Sequence, residues 1–118
     1  MKHGGYIYYY KSGEIKSIIN YLDGKLNGES IRYYESGEIS SKCWYLDGKY
    51  NGESISYFKG GEIGSKCWYI DGKLNGEYTN YFIDGEINYK YYHINGKFVT
   101  EFEWLCYVRN IKLELLGL

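Results

Sequence analysis

A 24-residue repeat constrains this chain more than any other feature of its sequence. Four segments follow one another with no insertion or deletion between them: residues 4–27, 28–51, 52–75 and 76–99. Each carries two turn signals, a Gly-Glu preceded by Ser, Gly or Asp and a Gly-Lys preceded by Asp or Asn. Asp-Gly and Asn-Gly favour two-residue hairpin turns, because these turns need positive φ at both central residues. The repeat therefore predicts a stack of equivalent hairpins.

The stretches between the turns favour strands over helices. They are rich in Tyr, Ile and Trp, which suit a pleated, half-buried surface. The chain has no Ala and 16 Gly, a composition that disfavours helix throughout the repeats. We predict an all-β repeat fold, an elongated single-layer antiparallel meander of about eight strands, two per unit. The expected spans are 6–11, 14–22, 25–35, 38–46, 49–59, 62–70, 73–83 and 86–94.

Composition and charge exclude several classes of function. The formal net charge is -1, from 14 basic and 15 acidic residues, which argues against a nucleic-acid binder that works by bulk phosphate neutralisation. No run of about 18 apolar residues predicts a transmembrane helix. The start of the chain lacks the apolar segment of a signal peptide. We expect no nucleic-acid partner and no transmembrane segment.

One motif gives the repeat a family resemblance. The pattern Tyr-x-Asp-Gly-Lys-x-Asn-Gly-Glu runs from Tyr21 to Glu29, and recurs at 45–53 and 69–77. It resembles the MORN repeat, and more closely the variant found in bacterial antitoxin-like proteins and large DNA viruses. The resemblance covers residues 4–99 and implies a twisted single-layer sheet built from stacked hairpins. MORN-type repeats occur in unlike proteins, so it implies little about function beyond an antitoxin or a viral protein.

One glycine of each unit falls inside a predicted strand: Gly4, Gly28, Gly52 and Gly76. A strand-interior glycine marks a bulge, a bend or the close approach of a neighbour. Two interpretations stay open here. Either an aromatic ring of an adjacent strand lies over each glycine, or the chain simply bends there.

Repetition should align equivalent side chains into ladders, spaced roughly 9–10 Å apart. Most ladder aromatics serve the fold, but an open sheet must expose some rings, and exposed Tyr makes a good contact residue. The candidate partner surface consists of Tyr6, Tyr8, Tyr10, Tyr34, Phe58, Phe82, Trp44 and Trp68.

The first strand has no predicted cover and is aromatic throughout. An open edge of this kind pairs with another strand, from a second copy or from a foreign chain. The candidate self-association edge is Ile7, Tyr8 and Tyr9. We expect a protein partner or a homo-oligomer through this edge.

Charged residues recur as well. Lys42, Lys66 and Lys90 are expected to face Glu29, Glu53 and Glu77 across strands. A second row could bind lipid headgroups, but its interleaving with Glu favours a role in solubility and register: Lys25, Lys49, Lys73 and Lys97. Membrane-surface binding is therefore disfavoured.

No candidate catalytic, cofactor-binding or metal-binding residue stands out. His3 and His93 are lone, no serine lies in a G-x-S-x-G motif, and the carboxylates repeat with the units. Cys43 and Cys67 should lie roughly 9–10 Å apart, beyond the ~7 Å reach of a disulfide. Three free thiols predict a cytoplasmic, reducing location.

The repeat ends at residue 99, and residues 100–118 predict a helix that caps the array. Thr100 followed by Glu103 fits a capping box, and apolar residues then recur at helical spacing, which indicates a helix from about 101 to 115. The leading hypothesis is a non-enzymatic scaffold for protein–protein interaction or self-assembly. The alternatives are an antitoxin that neutralises a toxin by binding it, and a lipid-headgroup-binding module.

Overall fold

The computed structural model describes residues 1–117, which form one open antiparallel sheet followed by one helix. Leu118, the last residue of the predicted helical segment, lies outside the described residues. The elements are β1 (Gly4–Tyr9), β2 (Ile15–Leu22), β3 (Lys25–Tyr33), β4 (Ile39–Leu46), β5 (Lys49–Tyr50), β6 (Gly52–Tyr57), β7 (Ile63–Ile70), β8 (Lys73–Leu74), β9 (Gly76–Tyr81), β10 (Ile87–Ile94), β11 (Lys97–Val99) and α1 (Glu101–Leu115). The predicted meander with a C-terminal helix is confirmed.

Two kinds of tight turn produce this meander. At the Asp-Gly turns both central residues have positive φ, for example 51° at Asp23 and 78° at Gly24, and Asn95 and Gly96 repeat this at 52° and 84°. These angles are the ones a two-residue hairpin turn demands. The opposite turns are longer, with the Gly13 N–H donating to the carbonyl of Tyr10 at 2.9 Å. The glycine of this turn has positive φ, which fits a three-residue loop that ends in a bulge.

The predicted count of eight strands is wrong, because a bulge divides each of the strands predicted over 49–59 and 73–83 into two. Tyr45 pairs with Tyr50 and Lys42 pairs with Ile55, so residues 51–54 lie opposite only two residues. This mismatch separates β5 from β6, and the same mismatch one unit later separates β8 from β9. The short strand β11 adds one further strand at the end of the path, so the sheet has 11 strands.

Gly28, Gly52 and Gly76 lie in bulges, whereas Gly4 is the first residue of β1 and pairs with Tyr21. Both interpretations contribute. All four have positive φ, which side chains other than hydrogen rarely tolerate. At Gly52 the side chain of Trp44 lies 3.3 Å from where a Cβ would be, and Gly76 is covered by a tryptophan of the helix. Within residues 1–117 no ring lies within 4 Å of that point at Gly4 or Gly28. The backbone therefore has the unusual positive φ at all four glycines, whereas a tryptophan ring lies over only two of them, Gly52 and Gly76.

The sheet has almost no enclosed core, as its dimensions of 55 × 40 × 22 Å imply. The buried hydrophobic residues of the described chain are Cys67 and Val99, and no large side chain is fully buried there. Stability must therefore come from the hydrogen-bonded ladders and from rings packed on the two faces.

A recurring side-chain hydrogen bond ties adjacent hairpins together. The Tyr10 hydroxyl donates to the carbonyl of Tyr33 at 2.6 Å, and the Tyr34 hydroxyl donates to the carbonyl of Tyr57. Phe58 occupies the next equivalent position and has no hydroxyl to donate. The bond is thus missing between the third and fourth units.

We expect Tyr34→Phe to lower the free energy of unfolding by about 0.5–1.5 kcal/mol, because the half-buried carbonyl of Tyr57 loses its donor. Phe58→Tyr should raise it by up to about 1 kcal/mol, because it restores the missing donor. Urea unfolding followed by tryptophan fluorescence measures both changes. The prediction fails if the two variants shift the midpoint in the same direction.

Helix α1 begins at the predicted capping box. The Thr100 side chain accepts from the Glu103 N–H at 3.2 Å, and the Glu103 carboxylate accepts from the Thr100 N–H at 3.1 Å. Trp104 stacks on Tyr92 of β10 with ring centroids 6.1 Å apart. The helix therefore lies over a face of the last hairpin rather than along the edge of the sheet. No helix in residues 1–117 is long and apolar enough to span a membrane.

Candidate protein-binding surfaces

Cross-strand pairing assigns the side chains to two faces. Direct partners share a face, so one set of pairs traces the face on which α1 packs: Lys42 with Ile55, Ile55 with Lys66, Lys66 with Thr79 and Thr79 with Lys90. Residues two positions away along a strand share that face, which places Trp44, Trp68 and Tyr92 there. We call this the helix face and the opposite side the open face.

The eight residues of the candidate partner surface fall into three places. Trp44 and Trp68 lie on the helix face. Tyr6 and Tyr8 lie on the open face, beside the first edge of the sheet. The other four stand just beyond the strand ends, each preceding a three-residue loop: Tyr10, Tyr34, Phe58 and Phe82. The structure therefore does not bring the eight side chains together into one surface.

The helix face carries a row of exposed apolar side chains that sequence analysis found only in part. Their exposed fractions lie between 47% and 56%, and the row consists of Leu22, Trp44, Leu46, Trp68 and Ile70. The fourth-unit equivalent of the tryptophans is Tyr92, which is covered by Trp104. We call these five residues the hydrophobic row. The aliphatic members occupy the position before each Asp-Gly turn, a regularity visible in the sequence.

A groove runs between α1 and the end of the hydrophobic row. Its volume is about 470 Å³, and its apolar walls include Trp68, Ile70, Trp104, Tyr107 and Ile111. The groove shows that α1 covers one end of the row without filling the space beside it.

The open face holds a stack of tyrosines. Tyr50 lies between Tyr45 and Tyr69, 4.8 Å from each ring, at interplanar angles of 23° and 27°. Burial raises the pKa of Tyr45, and it raises that of Tyr69 to about 12. Tyr45 and Tyr69 occupy equivalent positions one unit apart, so the repeat aligns them, but it does not predict the intervening ring of Tyr50. The Tyr45 and Tyr69 phenols therefore remain neutral at physiological pH, and the stack serves packing.

The lysine ladders pair differently from the prediction. Lys66 and Lys90 reach Glu53 and Glu77 as expected, at 3.9 and 3.7 Å, whereas the described part of the chain contains no ion pair for Lys42. In the row considered for lipid headgroups, two lysines pair with the turn aspartate of the following unit. Lys25 lies 3.3 Å from Asp47, and Lys49 lies 3.4 Å from Asp71. Two of the four lysines considered for lipid headgroups thus have a carboxylate partner.

Both ends of the sheet have unpaired edges. β1 pairs only with β2, which leaves the outer edge of Ile7, Tyr8 and Tyr9 without a partner in the described chain. At the far end, β11 pairs only with residues 92–94 of β10. Residues 87–91 of β10 consequently lack an outer partner within 1–117 and are all exposed. Sequence analysis missed this second edge, although the change from strand to helix after residue 99 indicates it.

The titratable groups are dispersed. Among residues 1–117 no three His, Cys, Asp or Glu side chains come close enough to hold a metal ion. The three cysteines are free thiols. Burial raises the pKa of Cys43 and of Cys67, which disfavours the nucleophilic thiolate.

No protein-family model matches the sequence, and no curated protein matches it. Among solved structures, the chain is similar to part of the crystal structure of accessory secretory protein 1,2 and 3 in Streptococcus pneumoniae, with a TM-score of 0.45 and 16% identity. The match covers 78% of this chain and 17% of that one. At this score the likeness indicates nothing about function.

Proposed function

We propose that this chain is a non-enzymatic scaffold of four MORN-like β-hairpin units that binds protein, and that its first partner is a second copy of itself. The observation that carries the proposal is the hydrophobic row on the helix face. Charged side chains such as Glu53 and Lys49 share this face and lie between members of the row, and exposed apolar side chains with polar neighbours are typical of protein-interaction sites. Removing half-exposed tryptophan and aliphatic side chains from water would stabilise an interface.

The chain itself indicates what covers such a row. In the fourth unit the position of the row's tryptophans is covered by Trp104 of α1. The same helix leaves Phe102 and Leu105 exposed, at 76% and 57%. Phe102 and Leu105 are therefore apolar side chains of α1 that do not pack on the sheet of the same chain. The α1 helix of a second copy therefore has the chemistry that the exposed part of the row requires.

The titratable groups support a non-enzymatic role. Carboxylates and lysines recur with the 24-residue period and form pairs across strands and turns. A catalytic site requires one asymmetric constellation of groups, and a repeated array of ion pairs is not of that kind. An antitoxin would also act by binding protein, so this surface would serve that alternative equally. A lipid-headgroup role is less supported, since Lys25 and Lys49 pair with aspartates.

Light scattering across a concentration series tests the self-association. We expect the wild-type chain to form a dimer that dissociates on dilution. The double variant Trp44→Ser/Trp68→Ser should be monomeric at every concentration, because it removes both rings of the row. Ile83→Ser is the matched control, since Ile83 is 64% exposed but lies in a turn away from the row. Circular dichroism checks that each variant keeps the sheet.

Two results would overturn this assignment. A wild-type monomer at all concentrations would exclude self-association. A dimer that survives in the double tryptophan variant, but is lost in Ile7→Lys, would place the interface at the β1 edge, because a charge on an edge strand opposes edge-to-edge pairing.

A further inference from the structure

A row of eight residues crosses the open face from one edge of the sheet to the other. Each member is the direct cross-strand partner of the next, and only the first and the last are aromatic. In order from the β1 edge, the row is Tyr8, Ser17, Arg32, Ser41, Ser56, Ser65, Asn80 and Tyr89. The inner positions carry small or polar side chains, and the two tyrosines stand at the two unpaired edges.

The two terminal tyrosines depart from the repeat. The positions equivalent to Tyr89 hold serine in each of the other units, and those equivalent to Tyr8 hold Arg, Ser or Asn. The hairpin that all units share therefore needs no ring at either position. Tyr91 departs in the same way, since its equivalents are one isoleucine and two cysteines. Additional rings thus occur on β1 and on β10, where a neighbouring strand is missing.

The two edges are complementary, because the repeat already contains the pairing that would join them. Between the first two units, residues 17–19 of β2 pair with residues 30–32 of β3. The equivalents of 17–19 are residues 89–91 of β10, and the equivalents of 30–32 are residues 6–8 of β1. In this register, β1 of another chain would set a tyrosine opposite a tyrosine twice. The pairs would be Tyr8 with Tyr89, Ile7 with Lys90 and Tyr6 with Tyr91.

We propose that β1 of a second copy pairs antiparallel with residues 87–91 of β10, in the register that sets Tyr8 opposite Tyr89. Cross-strand aromatic pairs, and hydrogen bonds between the unpaired backbone groups of the two edges, stabilise this contact. The contact is head-to-tail, so two joined chains keep one free edge of each kind and can be extended. It uses no residue of the hydrophobic row and goes beyond the proposed dimer.

The helix face of the same strands fits this register. Ile7 would lie opposite Lys90, and isoleucine lies opposite lysine three times within the sheet: Ile31 with Lys42, Lys42 with Ile55 and Ile55 with Lys66. The aliphatic stem of a lysine can cover an isoleucine in such a pair. Ile7 is 48% exposed in the single chain, where its outer side has no neighbouring strand.

Residues 1–3 limit the strength of the contact. They are the equivalents of residues 97–99, which already pair with the end of β10 as β11. A docked β1 must therefore release residues 1–3 from its own first turn, where the Gly24 N–H donates to the Lys2 carbonyl at 2.9 Å. A single strand pair is also much smaller than the roughly 1,200 Å² that a stable interface buries. The contact is therefore weak, and a covalent trap detects it better than light scattering.

Disulfide trapping tests the register directly. Opposed residues of antiparallel strands have Cα atoms about 4.5–5.5 Å apart, within the range of a disulfide. One chain carries Tyr8→Cys and the other Tyr89→Cys, and both carry Trp44→Ser/Trp68→Ser so that the hydrophobic row does not hold them together. We expect the oxidised mixture to give at least fivefold more linked dimer than either variant alone. Mass spectrometry distinguishes the link between positions 8 and 89 from links through the three native cysteines.

Two controls examine the register further. Lys90→Cys replaces Tyr89→Cys in the first, and it should not link to position 8 above background, because its side chain lies on the opposite face. In the second, Ile7→Lys or Ile7→Glu is added to the Tyr8→Cys chain. Ile7→Lys sets a like charge opposite Lys90 and should lower the yield of linked dimer at least fivefold, whereas Ile7→Glu should keep it. Circular dichroism checks that each variant keeps the sheet.

Three outcomes would overturn the proposal. The first is a mixture that gives no more linked dimer than the separate variants. The second is equal linking of position 8 to Tyr89→Cys and to Lys90→Cys, which indicates random collision. The third is linking of Tyr89→Cys chains to one another as readily as to Tyr8→Cys chains, which would mean that β10 pairs with β10. Because every chain in this test lacks both tryptophans, its result is independent of self-association through the hydrophobic row.

Discussion

Replacing Gly52 with alanine should lower the free energy of unfolding by about 2–4 kcal/mol. Gly52 lies in the bulge between β5 and β6 with a φ of 115°, where an L side chain is strained. The new methyl group would also lie 3.3 Å from the Cβ of Trp44, closer than ordinary packing allows. Backbone strain and crowding therefore act together. Urea unfolding followed by tryptophan fluorescence measures the loss.

Gly64→Ala provides the matched control for this prediction. Gly64 also lies inside a strand, but its φ is not positive, and its nearest neighbour, the Ser56 Oγ, is 3.4 Å from the Cβ position. We expect a change within about 1 kcal/mol there. Equal losses at the two positions would show that the bulge conformation does not matter, and that any added methyl group destabilises the sheet.

Replacing Trp104 with alanine should release α1 from the sheet and lower the free energy of unfolding by about 2–3 kcal/mol, somewhat less than for a fully buried tryptophan. The substitution removes the stacking on Tyr92 and the contact with Gly76, where the indole lies 3.7 Å from the Cβ position. A helix of 15 residues is marginal on its own in water. The helical signal in far-ultraviolet circular dichroism should therefore fall as well.

The control for this change is Phe102→Ala, which removes another aromatic ring from the same helix. Phe102 is 76% exposed, so its loss should change the stability of the monomer by no more than about 0.5 kcal/mol. If Phe102→Ala reduced the helical signal as much as Trp104→Ala, the stacking on Tyr92 would not be what holds the helix.

The arrangement of the candidate surfaces could be predicted only in part. The sequence predicted Trp44 and Trp68 as part of the candidate partner surface, because an open sheet must expose some of its aromatic rings. It grouped them with Tyr6 and Tyr8, which lie on the opposite face. Bulges recur along the sheet and change the pairing of side chains, so counting residues along the chain does not assign the face reliably.

Long-range partners were harder still to predict. Lys2 reaches the rings of Tyr6 and Tyr21 and the hydroxyl of Tyr8 because the chain before β1 runs beside the first Asp-Gly turn, where the Gly24 N–H donates to the Lys2 carbonyl at 2.9 Å. The pairing of Lys25 with Asp47 likewise joins neighbouring turns. Neither contact lies within one hairpin, and local sequence patterns describe only what happens within a hairpin.

The sequence by itself determined the turns, the meander and the helix start. These features depend on local backbone chemistry: positive φ at Asp-Gly and Asn-Gly, and the reciprocal bonds of Thr100 and Glu103. The tertiary structure alone decided which side chains share a face, where Tyr50 intercalates, which edges stay unpaired and what covers Tyr92. Those outcomes depend on register and on packing between distant residues, and a shift of one residue at a bulge is enough to change them.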